Sequence, residues 1–412
     1  MLAHTCFLKT RQSCFYGLGF FLARFEGFTD DWEQRKLGEI GSISMCRRIF
    51  KEQTSEVGDI PFYKIGTFGA EPDAFIPRGL FEEYKSKYPY PQKGDILISA
   101  SGSIGRTVVF TGNNEYFQDS NIVWLKHDER LSNQFLKCFY SVVKWDGIEG
   151  STIKRLYNDN ILNTVICMPS VPEQEFIGVF FENLDYLITL HQQKYEKFLD
   201  LKKAMLYKLF PKEGETTPEI RFDGFSGEWE KRKLGELGEI ITGSTPPTSI
   251  KNNYSNDGLM WVTPTDIKGS VTIDSERKLS VEGKKTARIV PKDTILVTCI
   301  ASIGKNTILG REGSFNQQIN CIIPYRGKYH PYFLLTESVL WSNYMKKNAG
   351  LSAMQIVNRS EFSKIITLTP SYEEQKAIGE YFSKLDQLIE LNKEKLEKLK
   401  NIKSLLLDKM FV

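Results

Sequence analysis

Residues 24–41 read RFEGFTDDWEQRKLGEIG, and residues 221–238 read RFDGFSGEWEKRKLGELG. Twelve of these eighteen aligned positions are identical, at an offset of 197. Self-similarity at a fixed long period marks a duplicated structural unit. Working outward, ILISASGSIGR (96–106) matches ILVTCIASIGK (295–305), and Gln118 and Asn121 match Gln317 and Asn320, all at an offset of 199. Further on, PSVPEQEFIG (169–178) matches PSYEEQKAIG (370–379) at an offset of 201, and the following Leu184-Asp185 matches Leu385-Asp386. Between these anchors, residues 42–92 and 239–291 share almost nothing. A retained scaffold with a divergent insert is expected of two modules that read different things. Neutral drift of loops after duplication is the plainer alternative.

Each copy begins with about 140 residues of short apolar stretches broken by Gly, Pro and Asn, such as 96–99, 107–110 and 122–125. Aromatic and aliphatic spacing predicts a helix over 131–145 and over 331–347. A long amphipathic helix follows. Its apolar seam holds Ile188, Tyr195, Phe198, Met205 and Leu209 in the first copy. In the second copy Leu385, Ile389, Asn392, Leu396, Leu399, Lys403, Leu406 and Met410 step by four and three. Pro172 and Pro211 bound the first helix. Chain order is therefore domain, helix, domain, helix, and two similar seams favour pairing over each helix packing on its own domain. The expected fold is α+β: two tandem mixed α/β domains, each followed by a long helix, with the helices forming an antiparallel coiled coil. Its segments are an extension at 1–23, a domain at 24–170, a helix at 171–212, a domain at 221–369 and a helix at 370–412.

Composition narrows the function classes. Hydrophobic residues make up 41% and aromatics 12%, which suits folded domains and not disorder. The two helices are each charge-balanced, so the net charge of +3 lies outside them. A phosphate-binding surface would need local basic patches. Seven scattered cysteines without a C-x-x-C pair, and only four histidines, point to free thiols in a reducing cytoplasm, not to disulfides or zinc. No apolar run approaches the ~20 residues that span a bilayer. Residues 14–23 resemble a weak secretion signal, and a plain N-terminal extension is the simpler reading.

Catalytic motifs are missing. In Ala301-Ser302-Ile303-Gly304-Lys305-Asn306-Thr307, Cys299 stands where a phosphate-binding loop needs its first Gly, and Asn306 where Ser or Thr would bind magnesium. Thr245-Pro246-Pro247-Thr248 lacks the preceding Asn or Asp of amino-methyltransferases. The duplicated loops Ser103-Ile104-Gly105-Arg106 and Ser302-Ile303-Gly304-Lys305 offer a hydroxyl, turn amides and a cation for a phosphate. Equally, they are tight turns that need Gly at positive φ. The divergent segments supply Arg47, Arg48 and Lys64, then Lys251, Thr265, Lys285 and Arg288, residue types that read bases or grip phosphates. The candidate DNA-binding set is thus Arg47, Arg48, Lys64, Ser103, Arg106, Lys251, Thr265, Lys285, Arg288, Ser302 and Lys305. The candidate helix or partner interface is Ile188, Tyr195, Phe198, Met205, Leu385, Leu396, Leu399 and Leu406. The near-duplicate segments around Glu173-Gln174 and Glu374-Gln375 predict two equivalent partner-binding surfaces.

The ordered set of W-x-x-R-K-L-G-E, I-L-I-S…G-S-I-G-R, and P-x-x-x-E-Q…L-D-x-L-I running into a charged helix occurs twice over residues 24–412. It resembles the specificity subunit of type I restriction-modification systems. The second copy also carries the Gly-x-Thr-Pro start at Gly243–Pro246 and the following Trp261, where the first copy reads Ser42-Ile43-Ser44-Met45. The resemblance implies that each domain is a target-recognition domain for one half of a split double-stranded DNA target. It implies helices that space the halves and dock two modification (methyltransferase) subunits, which restriction (endonuclease/translocase) subunits then join. S-adenosylmethionine, ATP and Mg would belong to those partners, with no cofactor, metal site or catalysis in this chain and no membrane. A coiled-coil scaffold or a binder of a non-DNA ligand is the alternative; steep salt dependence of DNA binding separates the two.

Overall fold

The computed structural model describes residues 8–12, 21–147, 154–348 and 356–411. Contacts divide it into two compact units, residues 1–190 with 395–412 and residues 191–394. The units cut across the sequence segments. Each contains one globular domain, the start of the helix that follows it, and the end of the other long helix.

In the first unit an antiparallel sheet runs in the order Gly41–Met45, Ile122–His127, Ile96–Ser99, Thr107–Val109. Both faces of Ile96–Ser99 are covered, so it reads as an unbroken apolar run instead of alternating. Strand alternation then divides its side chains between two cores. Ile96, Ile98, Val123 and Leu125 meet the helix Asn133–Tyr140 and the first turns of the long helix. Leu97, Ile122 and Trp124 meet Phe62, Phe81, Tyr116 and Phe117 from the divergent side. The second unit repeats this plan in the order Gly238–Thr242, Ile319–Pro324, Ile295–Thr298, Asn306–Leu309, Val271–Thr272. Ile295, Val297 and Ile322 face one core, and Leu296, Ile319 and Cys321 the other. The expected helix over 331–347 is Pro331–Asn348, whereas the one expected over 131–145 ends early, as Asn133–Tyr140. Within residues 1–25 the strands Leu8–Gln12 and Phe21–Phe25 pair as an antiparallel ribbon.

The divergent segments keep a common topology despite their unrelated sequences. Ile60–Tyr63 runs parallel to Tyr116–Phe117, and Leu259–Val262 runs parallel to Gly313–Phe315. Around that shared parallel pair the edges differ. The first unit adds Phe75–Ile76, and the second builds five strands with Tyr254–Ser255, Lys278–Leu279 and Ile289–Val290.

The long helices span Val171–Lys208 and Tyr372–Met410. Pro172 lies in the first turn, where its missing N–H removes no intrahelical bond. The seam read from the sequence is the buried stripe: Leu385, Ile389, Asn392, Leu396, Leu406 and Met410 are buried. Ile188, Tyr195, Phe198, Met205, Leu399 and Lys403 are half-buried. In the first unit Ile188 and Leu399 pack on the core containing Leu184 and Leu406. Lys403 Nζ reaches Asp185 Oδ1 at 2.5 Å there. In the second unit Lys202 Nζ reaches Asp386 Oδ1, also at 2.5 Å. The start of each helix therefore lies along the end of the other, the antiparallel arrangement.

One expectation is corrected here. Glu173, Gln174, Glu374 and Gln375 are buried, so they cannot form partner-binding surfaces. They latch each helix to its domain. Arg24 grips Glu173 through Nε to Oε1 at 2.8 Å and Nη2 to Oε2 at 2.6 Å. Arg221 grips Glu374 in the same bidentate way at 2.7 and 2.6 Å. Each carboxylate holds its guanidinium above the ordinary arginine pKa. Gln174 accepts from Ser132 N and donates to the Arg130 and Pro169 carbonyls. Gln375 accepts from His330 N and donates to the Pro370 carbonyl. The two best-matched ends of the repeat thus bind each other, because each contains one half of a buried ion pair.

Candidate nucleic-acid interface

The two Ser-Ile-Gly loops are closed from within. Ser99 Oγ donates to the Ser103 carbonyl at 2.5 Å and accepts from Arg106 N at 2.9 Å. Thr298 Oγ1 does the same with Ser302 O at 2.5 Å and Lys305 N at 2.9 Å. Gly105 N and Gly304 N donate to the carbonyls of Ser99 and Thr298. Both glycines have positive φ, +84° and +92°, so the tight-turn reading holds. These amides are engaged inside the turn and are not presented to a phosphate.

The cations of the loops have a definite task. Arg106 Nη1 donates to the Phe68 carbonyl at 2.8 Å, and Lys305 Nζ donates to the Pro264 carbonyl at 2.9 Å. Each repeated loop therefore pins its own divergent segment. The matched Gln residues do the same work, and the matched Asn residues tie the loop in the first unit and the divergent segment in the second. Gln118 Oε1 accepts from Ile65 N, Asp119 accepts from Arg48 Nε at 2.6 Å, Ser120 Oγ accepts from Arg155 Nη2 at 2.7 Å, and Asn121 accepts from Ser101 Oγ. In the second unit Gln317 accepts from Thr245 Oγ1, and Asn320 accepts from Thr242 Oγ1.

Arg48, Lys64, Ser103 and Arg106 are consequently gathered around residues 118–121. Arg47 is beside them with its guanidinium 5.2 Å from the centre of the Tyr88 ring. In the second unit the Ser302–Lys305 loop meets Thr265 through Pro264, while Arg288 donates its guanidinium to the Thr242 carbonyl and its backbone amide to Ser244 Oγ. Lys251 and Lys285 form a separate patch, on the short turn Lys251–Asn253 and on the helix Val281–Thr286 that packs against it. Several of these cations are in exposed ion pairs: Arg48 with Asp119, Lys64 with Asp73 at 2.8 Å, and Lys285 with Glu282 at 2.7 Å. Such pairs are worth about 0–1 kcal/mol, so opening one toward another anion costs little. Arg155 escaped the sequence reading. Position 356, its counterpart beside the equivalent bridge, is Ile, so the repeat gives it no signal.

Other chemistry is sparse. Among the described residues no three His, Cys, Asp or Glu side chains converge on a metal position. No described helix is long and apolar enough to cross a membrane. Burial pushes the thiols of Cys46, Cys138 and Cys321 up to about 12 and that of Cys299 to about 11, which keeps them protonated and unreactive.

A duplicated frame that holds two unlike polar surfaces fits one family. The type I restriction modification DNA specificity domain matches residues 29–198 and again residues 226–401, and the chain belongs to that family. It is a family of recognition domains, in keeping with the expected non-catalytic role. A Haemophilus influenzae protein described as a putative type I restriction enzyme specificity subunit is 52% identical over 178 residues. That match covers 40% of this chain and 46% of the relative, less than half of its length. The putative MjaX specificity subunit of Methanocaldococcus jannaschii is 23% identical over 397 residues, covering 91% of both chains. The fold is that of the type I restriction-modification S subunit from M. genitalium, with a TM-score of 0.66 at 16% identity, covering 94% of this chain and 97% of that one.

Proposed function

We propose that this chain recognises a two-part duplex DNA target, one half through each domain, as the specificity subunit of a cytoplasmic type I restriction-modification complex. The observation that carries this reading is the pinning just described. In each unit a repeated loop and a repeated Gln, Gln118 or Gln317, hold a segment whose sequence is free to differ. That is how one frame presents two base-reading surfaces. Arg47, Arg48, Lys64, Ser103 and Arg106 face one half-target, with Lys251, Thr265, Lys285, Arg288, Ser302 and Lys305 on the other. Arg155 joins the first set.

Partner subunits dock on the long helices. The first unit exposes Leu187, Leu190 and Ile402, and the second exposes Leu388, Leu391 and Leu201. These triplets are related by the repeat offset of 201. Equivalent apolar patches suit two copies of one partner, the modification subunit. That partner brings S-adenosylmethionine, and a restriction subunit brings ATP and Mg. The test is to express the chain with its neighbouring subunits and map methylated adenines across host DNA. A two-part motif is expected, whereas an unpartitioned motif, or methylation that does not depend on this chain, contradicts the reading. Native mass measurement at saturation should give two modification subunits per chain.

A further inference from the structure

A cavity of about 350 Å³ in the second unit lies between the Ser302–Lys305 loop, the segment 267–270 and the helix Pro331–Asn348. Four lysines line it, Lys202, Lys268, Lys305 and Lys346, against a single carboxylate, Asp386. That carboxylate is already saturated. It takes Lys202 Nζ at 2.5 Å, Ser270 Oγ at 2.7 Å and Tyr332 Oη at 2.9 Å. Among the described residues Lys305 Nζ is bound to a neutral carbonyl and to no carboxylate. Among the described residues Lys268 and Lys346 have no ion-pair partner. Asn306 Oδ1 accepts from Ser342 Oγ at 2.9 Å, which leaves the Asn306 carboxamide NH2 free to donate, and Asn343 stands beside it in the lining.

The approach of Lys346 is built into the backbone. A Cβ on Gly304 would lie 2.6 Å from Lys346 Cε and 2.9 Å from its Nζ. The missing side chain is what lets this ammonium settle on the loop. Three uncompensated ammonium groups around one polar cavity repel one another, and an anion there relieves that repulsion while accepting their hydrogen bonds.

The first unit has no such arrangement on the same frame. There Trp145 lies over Gly105, its Nε1 3.0 Å from where a Cβ would be. Trp145 takes the place over the loop glycine that Lys346 has in the second unit, and Thr107 occupies the repeat position of Asn306. The donors are therefore peculiar to the second unit and are not needed by the fold.

We propose that this cavity is an oxyanion site for a phosphate group, with Lys268, Lys346, Asn306 and Asn343 as the donors and Lys305 adding charge. The group is either a phosphate of a nucleic-acid backbone or a free phosphate. The proposal does not rest on the reading of DNA recognition, because inorganic phosphate probes the site directly. The experiment compares the full chain with the double variant Lys268→Gln/Lys346→Gln and with Lys346→Trp, which places in the second unit the residue that the first unit accommodates. Calorimetric titration with inorganic phosphate should show binding that weakens by about tenfold or more in both variants, as charge-assisted hydrogen bonds are removed. Duplex DNA binding across a salt series separates the two sources. If the phosphate is a backbone one, the logarithmic salt slope of the double variant falls by about 0.9 for each DNA phosphate that is no longer neutralised. If it is free, phosphate binding falls while the slope stays. Wild-type phosphate affinity and wild-type slope in both variants, with unchanged thermal unfolding, would overturn the proposal.

Discussion

The two units are built on one frame and finished with different side chains. In the first, the space over the Ser-Ile-Gly loop is filled by Trp145 and the divergent side is a cluster of rings, with Phe62, Phe81, Tyr90, Phe110, Tyr116 and Phe117 in mutual contact. In the second, the same space is edged by lysines, Thr272 at the sheet edge is hydrogen-bonded to Thr307, and the divergent side packs a mainly aliphatic core around Met260, Val262, Ile267 and Val290. What stays constant is what holds the frame: a bidentate Arg–Glu latch, a buried Gln, a hydroxyl that closes the loop, and an Asp–Lys pair between the helices. Function can therefore diverge without loss of fold, because none of these frame interactions depends on the residues that differ.

The frame should be the costliest part to disturb. Glu173→Ala and Glu374→Ala each strip a half-buried guanidinium of its bidentate carboxylate, and each should destabilise its unit by about 1–3 kcal/mol. Equal losses in denaturant melts would confirm that the latches are equivalent, and a loss in one unit alone would break the comparison. Leu399→Asp places a carboxylate in the half-buried seam of the first unit and should cost about 1–3 kcal/mol in lost packing and desolvation. A variant of unchanged stability would remove Leu399 from the seam. Gly105→Ala and Gly304→Ala should cost less, about 1–2 kcal/mol each for forcing a side chain into the left-handed region. Gly304→Ala should in addition push Lys346 away and weaken phosphate binding, whereas Gly105→Ala should leave it unchanged.

The smallest effect sharpens a difference inside the cores. Glu337 in the second unit is buried, accepts from Thr367 Oγ1 and has no partner for Oε2 among the described residues. Burial pushes its carboxyl up to about 8 from an ordinary 4.5. Between those values the folded unit keeps a proton that the unfolded chain releases, so stability falls as pH rises through that window. Glu337→Gln should flatten the pH dependence of the second unit's melting temperature over that range and leave the first unit's profile alone. An unchanged profile in the variant would show that the carboxyl is not held protonated.

The frame was legible in the sequence because duplication repeats it. Matched Arg, Gln, Asn and Gly positions proved to be hydrogen-bonding anchors, and heptad spacing picked out the buried stripe from Leu385 to Met410. The role of Glu173-Gln174 and Glu374-Gln375 was misread, since identity between copies does not distinguish a shared surface from a shared buried contact. The candidate contacts were legible only as residue types. Whether Arg48 faces solvent or Asp119 depends on a fold that brings positions 71 residues apart together. Arg155 and the lysine-lined cavity lay beyond reach because their partners come from separate elements and have no counterpart in the other copy.

The central claim is that each unit reads its own half of the target. It is tested most directly by replacing residues 42–165 with the matching region of another specificity subunit and mapping adenine methylation in cells that carry the partner subunits. The account predicts a motif in which one half changes while the other half stays as in the parent. A motif altered in both halves, or in neither, would contradict it.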